Sequence, residues 1–198
     1  MCLILNLACG FLNRSDKNSS NLSANNANSN TKSNSNQKSE EVSTPIALKP
    51  PEPCGWLEKS TGLKLKTKEY KEHSYEPGTY DCHQGIALVN DSSFGYNLAG
   101  DATTIKQLYV GIKIGPKNTA KQKELLQSVL WDAANQVAEK AGGQKLTDEM
   151  LMAIITNEKG KEFTLAAGED PTKPQLKSVF IDSHPQGTGT YTIVKMKF

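Results

Sequence analysis

The stretch TIKQLYVGIKIGPKNTAKQKELLQSVLWDAANQVAEKA, residues 104–141, decides the fold of this chain. Its first part, Thr104–Ile114, alternates apolar and polar residues, which predicts a β-strand with one face in a core and one face in water. The core-facing residues are Leu108, Val110, Ile112 and Ile114, and Gln107, Tyr109 and Lys113 face the other way. Gly115-Pro116 ends this strand, because proline cannot donate to the hydrogen-bonded ladder.

A long helix follows this strand over Ala120–Ala141. Its apolar residues recur every three or four positions, as on one face of an amphipathic helix. They are Leu126, Val129, Leu130, Ala133, Val137 and Ala141. Gly142-Gly143 terminates this helix, and Thr147 is placed to cap a second, short helix that ends near Asn157. A strand followed by two helices is therefore the centre of the predicted fold.

Further strand patterns lie on both sides of this centre. Those before it are Leu63–Glu69, Thr79–Val89 and Phe94–Leu98, and those after it are Lys161–Ala166, Leu176–Asp182 and Thr190–Phe198. Ser183–Gly189 reads as the loop of a hairpin between the last two. Strands, then helices, then strands predict an α+β fold. We expect an antiparallel sheet of about five to six strands with one long and one short helix on one face.

The chain has 198 residues, and its composition divides it into three parts. Residues 1–9 form a short apolar segment, and residues 10–50 are rich in Asn and Ser. Such a polar segment buries too little apolar area to offset the entropy lost on folding, so we expect a disordered tether there. Residues 51–198 are expected to form a single globular domain, and we find no motif in them that marks a known family.

The first ten residues, MCLILNLACG, form an apolar segment that ends in Ala8-Cys9-Gly10. This pattern resembles the lipobox of bacterial lipoproteins over Leu5–Gly10, although Asn6 stands where that family prefers Leu. In the family, the cysteine becomes the first mature residue and its thiol carries a diacylglycerol. The resemblance implies lipidation of Cys9 and attachment to a membrane through that lipid. The alternative is an apolar N-terminus without any role in export.

The resemblance also has implications for the start and the destination of the chain. No Lys or Arg precedes the apolar segment, so we expect the signal to begin upstream of Met1. Gly10 in place of Asp after the cysteine implies sorting to the outer membrane of a Gram-negative cell. The predicted location is therefore the cell envelope, with the domain facing the periplasm or the surface.

Cys54 and Cys82 are the cysteines left in the globular domain. In an exported protein two such cysteines usually bond to each other, so we predict a disulfide between them. A zinc site with His73 and His83 is the alternative. Because Cys82 and His83 are adjacent, their side chains point to opposite faces of an extended chain, which disfavours zinc. We therefore predict no metal site.

Charge and motifs argue against several other classes of function. The net charge is +2, acidic and basic residues are equal in number from Pro51 to Phe198, and Arg14 is the only arginine. Recognition of nucleic acid relies heavily on arginine, so we expect no nucleic-acid partner. Gly187-Thr188-Gly189 is an isolated G-x-G between two strands, which indicates a turn. No cofactor is expected.

Residues of catalytic type are present but poorly arranged in the sequence. Asp182-Ser183-His184 contains the three residue types of a hydrolase triad in consecutive order. We expect that such neighbours cannot reach the relay geometry among themselves. The carboxylate pairs Asp148-Glu149 and Glu169-Asp170 are explained by a helix start and an exposed turn. No catalytic residue is predicted, and the chain is more readily explained as a protein without enzymatic activity.

Two aromatic residues are candidates for an interface. Trp131 lies on the long helix away from the centre of its apolar face, and Tyr109 lies on the polar side of its strand. Trp131 either packs under a flanking loop or beside Ala134 and Ala138, or it anchors a partner as exposed aromatic residues do. Tyr109 poses the same two alternatives.

The leading hypothesis is a cell-envelope lipoprotein whose domain, displayed on a flexible tether, is a non-catalytic binding or structural module. Its partner would be a protein or another envelope component. One alternative is a periplasmic inhibitor or immunity protein. A second alternative is a small envelope enzyme with a site built around His73, His83 or His184.

Overall fold

The structure is a computed structural model that describes residues 46–58, 63, 65–166, 168 and 172–198. These residues belong to one compact unit, Val42–Phe198. The predicted signal segment 1–9 with Cys9, and the predicted tether up to residue 45, lie outside the described residues. Neither helix in the described part of the chain has the length and apolar character needed to cross a membrane.

One antiparallel sheet and two helices form the domain, which confirms the predicted α+β fold. The strands are β1 (Lys71–Glu72), β2 (Tyr80–Ala87), β3 (Ser93–Gly100), β4 (Ile105–Ile114), β5 (Lys161–Thr164), β6 (Ser178–Gln186) and β7 (Gly189–Lys197). The helices are α1 (Ala120–Gly142) and α2 (Asp148–Ile155), and a short 3₁₀ helix spans Glu52–Gly55. The sheet has seven strands, slightly more than the predicted five to six.

The strand order is β1-β2-β3-β4-β7-β6-β5. The first four strands form a meander, and the chain returns after the two helices to place β7 beside β4. The pair β4–β7 runs in register from Gln107↔Lys197 to Ile114↔Thr190 at the centre of the sheet. The strand with the clearest alternation in the sequence is therefore the central one.

The two helices form an antiparallel pair whose ends are fixed by side chains. Thr119 and Gln122 form a capping box at the start of α1, and Gly143 ends α1 with a positive φ of 69°. Thr147 caps α2, as predicted, by accepting a bond from the Met150 N–H. The Gln127 amide of α1 donates to the carbonyls of Ile154 and Ile155 at the end of α2.

Two different covers protect one face of the sheet, which we call the covered face. Helix α1 packs on β4 and α2 packs on β6, while the 3₁₀ helix packs on β3. The Tyr96 hydroxyl donates to the Pro53 carbonyl at 2.9 Å, and the Cys54–Cys82 disulfide joins the 3₁₀ helix to β2. This disulfide is the predicted one, and its Cα atoms lie 6.2 Å apart.

The two covers are also bonded to each other. The Trp56 carbonyl, just after the 3₁₀ helix, accepts from Gln136 Nε2 at 3.1 Å and from Lys140 Nζ at 3.0 Å. Both donors lie in the second half of α1. The segment that follows the predicted tether is therefore an integral part of the core.

The predicted strand Leu63–Glu69 is wrong for its described residues. Residues 65–70 carry no strand, and the Thr67 hydroxyl donates to the Glu58 carboxylate beside the 3₁₀ helix. Leu63 and Leu65 are buried, so their alternation reflects burial in the core. A side-chain pattern of this kind does not distinguish a paired strand from an extended segment lying on a core.

The predicted hairpin loop Ser183–Gly189 is also longer than the observed turn. Strand β6 continues to Gln186, and only Gly187 and Thr188 separate it from β7. Because β5 pairs with β6 only as far as Ile181, the later part of β6 is an edge, where Pro185 is tolerated.

The folded region also begins before residue 51, the predicted start of the domain. Leu48 is buried, and its carbonyl accepts from the Ile105 N–H at 2.8 Å at the start of β4. Residues 46–50, the described part of the predicted 10–50 tether, therefore contribute to the fold through Leu48.

Candidate functional site

The second face of the sheet, which we call the open face, is the main candidate for a functional surface. In the described part of the chain, both helices and the 3₁₀ helix pack on the covered face, where the buried strand residues lie. Three adjacent strands, β4, β7 and β6, supply most of the residues of the open face. They are Gln107, Tyr109, Gly111 and Lys113 from β4, Tyr191, Ile193, Lys195 and Lys197 from β7, and Ser178, Phe180, Asp182 and His184 from β6. All of these except Gly111 are at least partly exposed.

Tyr109, one of the two predicted interface residues, lies near the middle of the open face. It is half-buried, and Lys195 Nζ sits 5.2 Å from the centroid of its ring. Its hydroxyl donates to Gln107 Oε1 on the same strand. These contacts fix the ring in place and leave part of it accessible, which is typical of aromatic residues that contact a partner.

Tyr191 lies over Gly111 on the neighbouring strand. A Cβ atom added to Gly111 would come within 2.3 Å of the Tyr191 hydroxyl oxygen, so the ring occupies the space that a side chain would fill. Burial raises the pKa of the Tyr191 phenol above its ordinary value. Glycine at position 111 therefore leaves the space over β4 that the Tyr191 ring occupies.

A row of glycines crosses three strands beside this tyrosine. Gly85, Gly95 and Gly111 are register partners on β2, β3 and β4. On the open face Tyr191 lies over the Gly111 end of this row, and atoms of the His83 ring lie 3.8 and 4.0 Å from the positions that Cβ atoms would take at Gly85 and Gly95.

Asp182 and His184 form a hydrogen-bonded pair on the open face, with His184 Nδ1 and Asp182 Oδ2 3.1 Å apart. The other oxygen of Asp182 accepts the Gly160 N–H at 2.9 Å. Because a carboxylate only accepts, Nδ1 of His184 carries the proton of this bond and Nε2 is left for another partner. The Tyr191 ring meets the His184 ring edge-on, with centroids 5.5 Å apart.

The expectation that Asp182-Ser183-His184 cannot form a relay among themselves agrees with the structure, although Asp182 and His184 do meet. Residues two apart on a strand share a face, so Asp182 and His184 meet. Ser183 points to the covered face, where it is buried and its hydroxyl bonds to Thr192 at 2.9 Å. The serine cannot reach His184, and a triad within this tripeptide is excluded on that ground.

Asn97 lies in the same row as Tyr109 and His83, its register partners on β4 and β2. Its Oδ1 atom is buried and has no hydrogen-bond partner within the described structure. A buried acceptor without a donor is costly in free energy.

Trp131, the other predicted interface residue, lies in the helical layer on the covered-face side of the sheet. It is half-buried and packs against the core. On α1 it lies between Gln127 and Asn135, four residues from each. Gln127 donates to the carbonyl of Ile154 at the end of α2, and Asn135 accepts from the N–H of Leu146 just before α2. The fold therefore explains Trp131 by helix packing, and it separates Trp131 from Tyr109.

The two remaining histidines, His73 and His83, lie on different parts of the structure. His83 is exposed on the open face while Cys82 is buried on the covered face, as their adjacency predicts. His73 lies just after β1, where its Nδ1 accepts from the Tyr75 N–H. Among the described residues, no group of three or more His, Cys, Asp and Glu side chains is close enough to hold a metal ion. The disulfide also removes both thiolates that a zinc site would need.

Comparison of the chain with known protein families, with curated proteins and with solved structures finds no match.

The contact between Gly111 and Tyr191 generates a test with a matched control. We predict that Gly111→Ala displaces the Tyr191 ring and lowers the pKa of this phenol toward its ordinary value, since burial raises it. Gly95→Ala is the control, because a Cβ there meets its nearest atoms only at 3.8 and 4.0 Å. Spectrophotometric titration of tyrosine, with Tyr191→Phe to assign the signal, measures this shift. An unchanged titration of Tyr191 in Gly111→Ala would show that the ring does not depend on this glycine.

Proposed function

We propose that this chain is a lipid-anchored protein of a bacterial cell envelope, sorted to the outer membrane, that binds a partner through the open face of its sheet. Three features support export and anchoring. The Leu5–Gly10 segment resembles a lipobox, the Asn/Ser-rich residues that follow have the composition of a tether, and the domain contains the Cys54–Cys82 disulfide. Disulfides of this structural kind persist in oxidising compartments such as the periplasm.

The open face is the observation that carries the binding proposal. An antiparallel sheet with one buried face and one solvent-exposed face usually carries polar side chains on its exposed face. This one holds Tyr109, Phe180 and Tyr191 there, and contacts fix two of them. Aromatic residues held in place next to polar groups lose little entropy on binding, which is why they are enriched at interfaces.

Binding explains these residues better than catalysis does. Acyl transfer needs a nucleophile beside the base, and the neighbouring serine points away from His184. An inhibitor or immunity protein of the periplasm is one form of the binding proposal. It would use the same surface without any catalytic group.

An enzyme centred on His184 is the second candidate, and the Asp182–His184 hydrogen bond favours it. Asp182 orients the ring as the carboxylate of a hydrolase does, and Nε2 is left to accept a proton. This candidate requires an activity that is lost in His184→Ala and retained in Trp131→Ala. The binding proposal does not require such an activity.

The lipid anchor is tested by substitution of the two N-terminal cysteines in separate variants. We predict that Cys9→Ser abolishes incorporation of labelled fatty acid and releases the protein from membranes, because the thiol of this residue would carry the lipid. Cys2→Ser is the control and should keep both the label and the membrane attachment. Fatty-acid labelling with membrane fractionation in a Gram-negative host measures this. Membrane attachment that survives Cys9→Ser would contradict the proposal.

The binding surface is tested by comparing variants on the two sides of the sheet. Tyr109→Ser on the open face should reduce recovery of a cross-linked partner by about tenfold or more while the melting temperature changes little. Trp131→Ala in the helical layer should lower the stability by about 2 kcal/mol and leave recovery unchanged. Cross-linking in intact cells with quantitative recovery measures both. Loss of the partner in Trp131→Ala alone would place the interface on the helices.

A further inference from the structure

The outer edge of β2 offers unpaired backbone groups over most of its length. Leu88 N–H donates to Ser92 O at 2.8 Å in the hairpin that joins β2 to β3. Because the bonds of an antiparallel pair alternate, Ile86, Gln84 and Cys82 then bond to β3, and the residues between them point their N–H and C=O groups outward. The His73 N–H donates to Thr79 O at 2.7 Å on the outer side, so Thr79, like the odd-numbered residues of β2 that follow it, points its backbone groups outward.

The short strand β1 covers only the beginning of this edge. It pairs with Tyr80 and Asp81, and none of the described residues forms a backbone bond to the outward groups of His83, Gly85 and Ala87. These three residues are all exposed. The outward N–H and C=O groups of these residues therefore form one row without a backbone partner in the described part of the chain.

This part of the edge also differs in charge from the outer edges of the sheet. The terminal strands β1 and β5 carry Lys71 with Glu72 and Lys161 with Glu162, and charged residues at an edge oppose pairing with another chain. Cys82–Ala87 has no Lys, Arg, Asp or Glu, no proline and no bulge against β3. It is an extended, unprotected edge in a sheet whose ends are otherwise protected.

We infer that this edge pairs with the same edge of a second copy of the chain. A two-fold axis at Gly85 sets Gly85 opposite Gly85 and His83 opposite Ala87, so each copy supplies the same outward groups to the other. The geometry favours a second copy because a two-fold interface needs one surface that is complementary to itself. An antiparallel pairing of an uncharged strand with itself meets this condition without opposing like charges.

The side chains along the edge permit such a pairing. Gly85 and Ala87 are small on the open face, so two copies can approach to the distance of a paired strand. The two sheets join into one, and the two open faces become continuous. Since a few backbone bonds and a small buried area hold the copies together, the dimer is weak and depends on concentration. This inference rests on the β2 edge alone and does not require the proposed lipid anchor.

Cross-linking through the proposed axis tests this pairing. In the full chain with Cys2→Ser and Cys9→Ser, Gly85→Cys should give a disulfide-linked dimer on mild oxidation. Residues paired across an antiparallel axis have Cα atoms about 5.5 Å apart, within reach of a disulfide. A Cβ at Gly85 meets its nearest atoms at 3.5 and 3.8 Å, so the cysteine fits. Val89→Cys is the control, because Val89 is 63% exposed but lies about 27 Å from its copy in this pairing.

Sedimentation velocity of the full chain that carries only Cys2→Ser and Cys9→Ser gives an independent readout. The dimer fraction should rise with concentration, and Gly85→Pro should abolish the dimer, because proline removes an outward N–H while leaving the bonds to β3. Gly85→Lys should do the same by placing like charges opposite each other, and it keeps the test valid if Gly85→Pro fails to fold. The pairing is wrong if the chain stays monomeric, if Val89→Cys cross-links as well as Gly85→Cys, or if both folded Gly85 variants still dimerise.

Discussion

The Cys54–Cys82 disulfide is the constraint on which the N-terminal half of the domain depends. The two helices cover β4 and β6, and no helix longer than four residues is described over β2 and β3. The 3₁₀ helix and the residues around it take that place, and Cys54 and Leu57 there are fully buried. Such a short segment has little regular structure of its own, so the covalent link and the bonds from Tyr96, Gln136 and Lys140 keep it on the sheet.

This arrangement of the helices leaves one face of the sheet open for the proposed binding function. With helices and the 3₁₀ helix all on one face, the other face is left to present side chains whose contacts are made within the sheet. Tyr109 is held by Lys195, Tyr191 by the space above Gly111, and His184 by Asp182. Each of these contacts joins register partners, diagonal neighbours or residues two apart on a strand, so the surface is as rigid as the sheet itself. A rigid surface of this kind suits recognition, because little side-chain entropy is lost on binding.

The sequence predicted the elements with long, regular patterns and missed features that depend on register. The alternation in Thr104–Ile114 and the spacing in Ala120–Ala141 specify β4 and α1, and Thr147 marks the start of α2. Strand β1 has two residues, too few for any alternation. The contact between Gly111 and Tyr191 needs the pairing of β4 with β7, which no local pattern reveals. The Asp182–His184 bond follows from the two-residue period of a strand, which puts these two side chains on one face and Ser183 on the other.

Hydrogen exchange with and without the disulfide tests the central claim most directly. In the chain with Cys2→Ser and Cys9→Ser, replacing Cys54 and Cys82 by Ala should lower the stability by about 3.5 kcal/mol, as expected for a loop closed across 28 residues. Protection should fall first at Phe94, Tyr96 and Leu98 of β3, while Val194 and Met196 of β7, which lies between the helix-covered strands β4 and β6, keep theirs. An equal loss of protection in both halves of the sheet, or two reactive thiols in the native unreduced protein, would contradict the account.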